Sequence, residues 1–357
     1  EALYFVPEGE LFEYWRLKVT NESSRPRRIS VFTYCEFTNH WDTYQDQVNQ
    51  QYSSFIIKGS RQDNMLRIVS QDNLTGRSVA QIDDLAMHTW MALIGAPIAG
   101  YDTSREAFIG IYNGYHNPQV VQQGKCTNSN AYGDNACGTF QVDLELRPGE
   151  SEEILVMLGI GAQETVGKET VAAFGSLERA DEEFIRLKEA RHRTLGSLTV
   201  ETPDPEFNST INVWGLYNCL INFAWSRSAS LVYNGERDGL GYRDSVQDLL
   251  GVMAAIPEDA GKRLELMITG QVSTGGAIPV IKPFEHRPGH EKAPEPEEYR
   301  SDDCLWLFNA VPEYVAETGD VDFYSQVLPY ADQGEDTVLG HLRRALEFNL
   351  NRTGRNG

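Results

Sequence analysis

The sequence predicts a mixed, multidomain fold: an antiparallel β-sandwich, then a helical linker, then the first part of an α-toroid. Two observations carry this. Up to about residue 162, short β-branched and aromatic runs are separated by turn residues; from about residue 167 the apolar period lengthens to that of a helix and stays there. A third observation is the length of the polar loops between the later helices. Loops beyond ~12–15 residues are uncommon in a compact helical domain unless they carry function.

Taken in order, "FEYWRLKVTNESSRPRRISVFTYCEF" at 12–37 reads as a hairpin, and "SSFIIKG", "MLRIVSQ" and "FIGIYNGY" as further strands. In "GTFQVDLELRPGESEEILVMLGIG", Phe140, Val142, Leu144 and Leu146 alternate with polar residues, "RPGES" supplies turn chemistry, and Ile154–Leu158 form an apolar return strand. The stretch "KETVAAFGSLERADEEFIRLKEARHR" spaces Phe174, Leu177, Phe184 and Leu187 as one amphipathic helix. Beyond "ETPDPEF" helices are expected near 206–225, 245–256, 258–272, 303–318 and 335–351. Asp204, before Pro205, is placed to cap the first, and Asp244 or Ser245 the second. The resulting division is a sandwich over 1–164, a linker over 165–200 and a helical domain over 201–357.

Composition removes several classes. A net charge of −21 does not suit phosphate-backbone binding, and the densest basic cluster, "RPRR", is short and isolated, so no nucleic-acid partner is expected. No apolar stretch reaches the ~18–20 residues needed to cross a bilayer, so no membrane partner is expected either. The beginning, "EALYFVPEGE", has neither signal-peptide regions nor an initiator Met, and the strands start almost at once. Together with an abrupt end and too few helices to close a toroid, this predicts an internal piece of a longer protein. The cysteines, Cys35, Cys126, Cys137, Cys219 and Cys304, are odd in number and scattered, which suits a reducing cytoplasm. Cys126 and Cys137 bracket "CTNSNAYGDNAC"; two thiols without a second close pair of ligands make a poor zinc site, so they read as free. Sequons at Asn21, Asn73, Asn208 and Asn351 occur at the chance rate.

Two constellations carry chemistry. In "SRSASLVYNGERDGLGYRDSVQD", Arg227, Arg237 and Arg243 interleave with Asp238, Asp244 and Asp248. Guanidinium forks suit an anion or adjacent sugar hydroxyls, and carboxylates accept hydroxyl pairs, so the loop would suit a ligand with both an anion and a polyol. Its glycines, Gly235, Gly239 and Gly241, would let the backbone approach that ligand. Mutual pairing of solvated loop charges explains the pattern equally well. The second constellation is "YRSDDCLWLFNAVPEYVAETGD", where Asp302 and Asp303 open a helix. Capping explains one of them; paired carboxylates able to do acid–base work or orient hydroxyls are the other reading.

Other motifs are weak. His286 and His290 in "HRPGH", and His341, read as loop residues without a third ligand at zinc spacing, so no metal is expected. Trp225 and Trp306 sit beside charged clusters and could stack on a sugar, although core packing is their commoner role. No phosphate loop, nucleophile elbow or dinucleotide fingerprint is present.

In order and spacing, "WSRSAS", "ERDGLGYRDSVQDLLG", "SDDCLWL", "YVAETGD" and "VLPYADQGE" resemble the disaccharide phosphorylases of glycoside hydrolase family 94, and "FIGIYNGYHNPQVV" and "LRPGESEEILVMLGIG" resemble the sandwich of the same family. The resemblance implies a β-sandwich, a helical linker and an (α/α)6 barrel. It implies an enzyme that cleaves a β-linked gluco-disaccharide with inorganic phosphate, inverting the anomeric centre to give α-sugar 1-phosphate. Phosphate is then a co-substrate and no cofactor is needed. On this basis Arg227 would bind phosphate, and Arg237 and Asp244, joined by Arg243 and Asp303, would hold the sugar. The family's general acid is the first Asp of a D-W-N-D motif that follows a stretch like "NRTGRNG"; this sequence ends before it, so no catalytic acid is assigned and the chain by itself is expected to be inactive. A cytoplasmic homodimer is also implied.

Three other readings stay open: a hydrolase or glucan-processing enzyme on a similar toroid, a carbohydrate-binding protein without the chemistry, and a structural module. The substrate, whether cellobiose, laminaribiose or chitobiose, is not decided by these residues. The loop "STGGAIPVIKPFEHRPGHEKAPEPEEY" is placed on the acceptor side, with Lys282 and His286 as candidates.

Overall fold

The computed structural model describes residues 1–37, 57–70, 88–226, 239–283 and 285–352. It divides into two compact units, Glu1–Glu189 and Ala190–Gly357.

The first unit is a sandwich of two antiparallel sheets. The larger runs β1 (Ala2–Phe5), β2 (Phe12–Thr20), β10 (Ser151–Ile160), β7 (His88–Ile94), β6 (Met65–Ser70), β5 (Ile57–Gln62). In the smaller, β3 (Arg27–Phe32) and β4 (Cys35–Phe37) pair with successive segments of β9 (Ala136–Leu146), and β8 (Gly100–Ser104) also pairs with β9. The run "ILVML" in β10 lacks polar alternation because both faces are covered. Ile154 and Val156 point into the core between the sheets, whereas Leu155 and Met157 point to the outer face. On that outer face Leu177, Ala180, Phe184 and Leu187 of a helix pack with Tyr14, Trp90 and Phe12.

Three sequence expectations change here. The 12–37 and 138–161 stretches are not hairpins: β2 and β10 pair with each other in the large sheet, while β3 and β9 pair in the small one. Each turn is therefore a corner that moves the chain between sheets, and Asn21 joins the two corners. Its buried Nδ2 donates to Arg25 O (2.8 Å) and Leu146 O (3.0 Å), and its backbone bonds Glu150 and Gly149. "FIGIYNGY" is not a strand: Phe108 and Ile109 end the short helix α1 (Arg105–Ile109), which Ser104 caps by accepting from Ala107 N, and they pack with Val120, Cys126 and Cys137. Those two cysteines are free and buried. The linker helix is two helices, α3 (Lys168–Phe174) and α4 (Leu177–Leu195), following the short α2 (Gln119–Gln123), with a break at Gly175.

The second unit is helical. Pro205–Ser209 (α5), π-helical Thr210–Gly215 and Leu216–Trp225 (α6) form one run, started by Asp204, whose carboxylate accepts from Glu206 N and Phe207 N. It is followed by α7 (Tyr242–Leu249), α8 (Pro257–Ile268), a 3-10 turn at Asp303–Trp306, α9 (Leu307–Thr318) and α10 (Val338–Leu350). The core stripe of α8, Ala260, Leu264, Met267 and Ile268, has the spacing of one helix face and meets Val246, Leu249 and Val311. The second helix thus starts before residue 245, and neither Asp244 nor Ser245 caps it: Gly241 holds the cap position. The last begins at Val338, capped by Thr337, because Glu335–Thr337 pair with Val327–Pro329 as a short ladder.

Candidate active site

The site is assembled at the N-terminus of α7. A two-residue ladder, Leu240↔Ile281 and Gly241↔Val280, sets the 271–282 loop against this point, and Tyr242 N donates to Pro279 O. The glycines here serve the protein's own packing. Gly239 has φ 110°, and a Cβ on it would run into Val280 Cγ1; a Cβ on Gly241 would lie 3.0 Å from Asp244 Oδ2. Upstream, Ser226 ends α6 in the left-handed conformation (φ 50°) with its hydroxyl 3.3 Å from that of Ser245 in α7. The residue before Arg227 is thereby fixed to the helix that carries Arg243 and Asp244.

Arg243 Nη1 donates to Asp302 Oδ2 at 3.0 Å, and its Nε lies 4.0 Å from Asp244 Oδ1. Trp306 Nε1 donates to the same Asp302 oxygen at 3.4 Å. The two charged constellations of the sequence therefore form one cluster. The two aspartates do open the helix, Asp302 at the cap position and Asp303 in its first turn, but Asp302 makes no side-chain cap bond and spends its carboxylate on Arg243. Asp303 is 1% exposed, and neither of its carboxyl oxygens has a hydrogen-bond partner among the described residues. An unsatisfied buried carboxyl costs free energy and persists where a ligand, a partner or a function requires it.

The environments of the two adjacent carboxyls differ in sign. The hydrogen bond from Arg243 holds Asp302 below its ordinary range. Burial pushes Asp303 up to about 6, with Arg300 and Arg243 opposing and Asp302 and Asp244 reinforcing. Asp302 is thus a fixed acceptor, and Asp303 changes protonation close to neutrality. Arg300 and Ser226 were not singled out in the sequence, and Ser245 only as a helix cap; Arg300 stands in the quoted "YRSDD", but its influence on Asp303 is a matter of proximity.

Arg227, Arg237 and Asp238 lie outside the described residues. Of the acceptor-side candidates, His286 is buried, with Nδ1 3.0 Å from Glu291 Oε1 and Nε2 3.1 Å from Thr269 Oγ1, and Lys282 lies 3.6 Å from Glu285. His286 is therefore committed to structure. His341 is a core residue of α10 and not a loop residue: its ring nitrogens face Gln271 Oε1 (2.7 Å) and Leu328 O (3.0 Å). Gln271 Nε2 donates to Gly275 O and His341 O, which fixes Oε1 as the acceptor, and burial holds the imidazole pKa below its ordinary value. Trp306 packs partly against the core, whereas Trp225, at 41% exposed, does not take the core role expected of it. Among the described residues no group of three or more His, Cys, Asp or Glu could hold a metal, and no helix is long and apolar enough to cross a membrane.

Residues 1–177 match the family model of the glycosyl hydrolase 94 supersandwich domain, and residues 191–357 match that of the glycosyl hydrolase 94 superfamily catalytic domain. The chain is similar to the N,N'-diacetylchitobiose phosphorylase of Vibrio furnissii, 32% identical over 374 residues, which cover 99% of this chain and 45% of that protein. It is 26% identical over 351 residues to the solabiose phosphorylase of Paenibacillus borealis (97% and 41% covered) and 28% identical over 383 residues to a cyclic beta-(1,2)-glucan synthase of Rhizobium meliloti (100% and 12%). The chain spans less than half the length of these relatives.

Proposed function

Because the chain belongs to the glycosyl hydrolase 94 superfamily, we propose that it is part of a glycoside phosphorylase acting on a β-linked gluco-disaccharide. The observation that carries this is the Arg243–Asp302–Asp303 cluster beside α7: a guanidinium, an ionised carboxylate and a buried carboxyl without a hydrogen-bond partner among the described residues, at the N-terminus of α7. A sugar hydroxyl would satisfy Asp303, donating to it when ionised, and Arg243 and Asp244 would hold neighbouring hydroxyls. Arg227 and Arg237 would bring phosphate to the anomeric carbon and hold the transferred unit.

In the reaction so read, a phosphate oxygen bonds to the anomeric carbon from the face opposite the glycosidic bond. That bond breaks, its electron pair goes to the leaving oxygen, and a general acid outside the residues assigned here supplies the proton. The products are α-sugar 1-phosphate and a free sugar. The same reading needs no metal or organic cofactor and places the enzyme in the cytoplasm as a homodimer.

The test is phosphate release by the protein at its full natural length, offered α-glucose 1-phosphate or α-N-acetylglucosamine 1-phosphate with glucose, N-acetylglucosamine or cellobiose, and repeated with Arg227→Ala. Acceptor-dependent release that collapses in the variant supports the reading and identifies the acceptor. Retained sugar binding without release from any pair replaces it with a binding or glucan-processing role.

A further inference from the structure

A small cleft of about 280 Å³ lies in the sandwich unit between the edge strand β5, its neighbour β6 and the segment 130–132. Alternation along the two strands divides their side chains. Ile57, Leu66 and Ile68 join the core between the sheets, whereas Lys58, Ser60, Arg67 and Val69 line the cleft. The register sets Ser60 opposite Arg67 and Lys58 opposite Val69. Lys58 and Arg67 are therefore diagonal neighbours on one face, close enough for two long side chains to reach the same ligand.

The facing wall is fixed in advance. Gly59 N donates to Ala131 O and Gly133 N to Ile57 O, each at 3.0 Å, and Ala131 N donates to Thr103 Oγ1 at 2.8 Å, so this segment is tied along the edge of β5. The Lys58 ammonium lies over the Tyr132 ring, 4.8 Å from its centroid. Asn130, in the same wall, accepts from the Tyr101 hydroxyl with Oδ1 at 3.3 Å, which leaves its Nδ2 as a donor. Arg67 is half-buried and enters no hydrogen bond or ion pair among the described residues. A site built in this way loses little entropy on binding.

The charge of this region is reversed relative to the chain. Residues 57–70 carry Lys58, Arg61 and Arg67 against Asp63 alone, and no carboxyl lines the cleft among the described residues, in a chain of net charge −21. An anion suits such a local reversal of sign. The shape of the donor set narrows the class. A carboxylate, with two oxygens in one plane, is taken up by the guanidinium fork of Arg67 alone; a tetrahedral oxyanion also has oxygens for the Lys58 ammonium, the Ser60 hydroxyl and the Asn130 amide. Ligand pockets start at roughly 300 Å³, so a cleft of this size suits a small molecule and not a polymer.

We infer that this cleft is an anion site of the sandwich unit that takes a phosphate group, as inorganic phosphate or as the phosphate ester of a small molecule, through Lys58 and Arg67 and not through the residues assigned to the reaction. The inference rests on the cleft and does not depend on the phosphorylase reading.

The experiment is isothermal titration calorimetry of the protein at full natural length, carrying Arg227→Ala to take away the phosphate contact proposed for the reaction, with inorganic phosphate, glucose 6-phosphate and acetate as titrants. The expected result is binding of phosphate, glucose 6-phosphate or both that weakens with added sodium chloride and falls at least tenfold in Lys58→Gln and in Arg67→Gln, the scale of one hydrogen bond to a charged group. Tighter binding of the ester identifies an ester as the occupant, and tighter binding of inorganic phosphate identifies the free ion. Ser60→Asp, at an exposed position opposite Arg67, puts a competing carboxylate on the cleft wall and should abolish binding with no loss of melting temperature. Absence of binding by either phosphate compound overturns the proposal. So does binding that is unchanged in the Lys58→Gln, Arg67→Gln double variant or in Ser60→Asp, or acetate binding as tightly as phosphate. Failure of the phosphorylase reading is seen separately, as absence of phosphate release by the protein with Arg227 intact.

Discussion

Arg243 and Asp302, 59 residues apart in the chain, meet through a single 3.0 Å hydrogen bond that makes one site out of two charged segments. Both side chains remain about 40% exposed, so solvent screens the pair and its contribution to stability is small. Its consequence is positional: Asp302 is kept ionised and pointed at the guanidinium, beside a carboxyl that is kept dry.

That division predicts that Arg243→Ala and Asp302→Asn separate activity from stability. In the full-length enzyme, kcat/KM for phosphorolysis should fall by roughly ten- to a hundredfold, the scale of one charge-assisted hydrogen bond to substrate or its positioning group. The melting temperature should stay at the parent value. Steady-state kinetics alongside thermal melts check this, and a loss of melting temperature that tracks the loss of activity would make the pair structural.

Asp303 predicts a pH dependence of defined sign. Its native pKa is raised from an ordinary 3.8 to about 6, so between those values the folded state holds a proton that the unfolded state has released. Stability from this group is therefore highest below about pH 4, falls as pH rises to about 6, and stays lower above, by a total on the order of 2–3 kcal/mol. His341 works in the opposite sense near the same range: its lowered pKa means the unfolded state binds the extra proton first, so its contribution falls as pH drops below the ordinary imidazole value of 6.5. The difference between parent and Asp303→Asn isolates the carboxyl. The variant should lose ground to the parent below pH 4 and gain on it above pH 6 in chemical denaturation; a difference that does not change with pH would remove the buried-carboxyl reading.

Asn21 predicts a stability effect at the sandwich corner. Its amide donates to Arg25 O and Leu146 O, and its Oδ1 accepts from Ser23 N (3.1 Å) and Ser23 Oγ (2.7 Å). Asn21→Ala leaves the buried Leu146 carbonyl without this donor, and unfolding should become easier by about 2–3 kcal/mol. The same engagement predicts that Asn21 stays unglycosylated even when the protein is passed through a secretory host. Denaturant titration and intact mass at this sequon check the two halves.

Much of the architecture was legible because it depends on period. The switch from alternating to helical spacing near residue 167 marks where sheets give way to helices, and the Asp204–Pro205 cap depends on local chemistry alone. Pairing was not legible. The two "hairpins" at 12–37 and 138–161 have turn residues that suit a corner as well as a hairpin, and only the packing of apolar faces from both sheets selects the corner. "FIGIYNGY" has strand composition, yet the Ser104 cap and the burial of Phe108 and Ile109 against Val120 make it helical.

The candidate site divides in the same way. The residue types around Arg243 and Asp303 announced polar chemistry, and the order of the motifs pointed to a sugar and a phosphate. The roles of Asp302 as an ion-pair acceptor, of Gly239 as a packing glycine and of His341 as a core residue were hidden, since each depends on atoms brought in from 13 to 70 residues away. What the amino-acid order determined by itself was the succession of elements, their caps and the chemical vocabulary of the site, all properties of residues within a few turns of one another. Tertiary structure alone decided which carboxyl is paired and which is buried bare, because desolvation and pairing are set by what folds over a group and not by its neighbours in the chain.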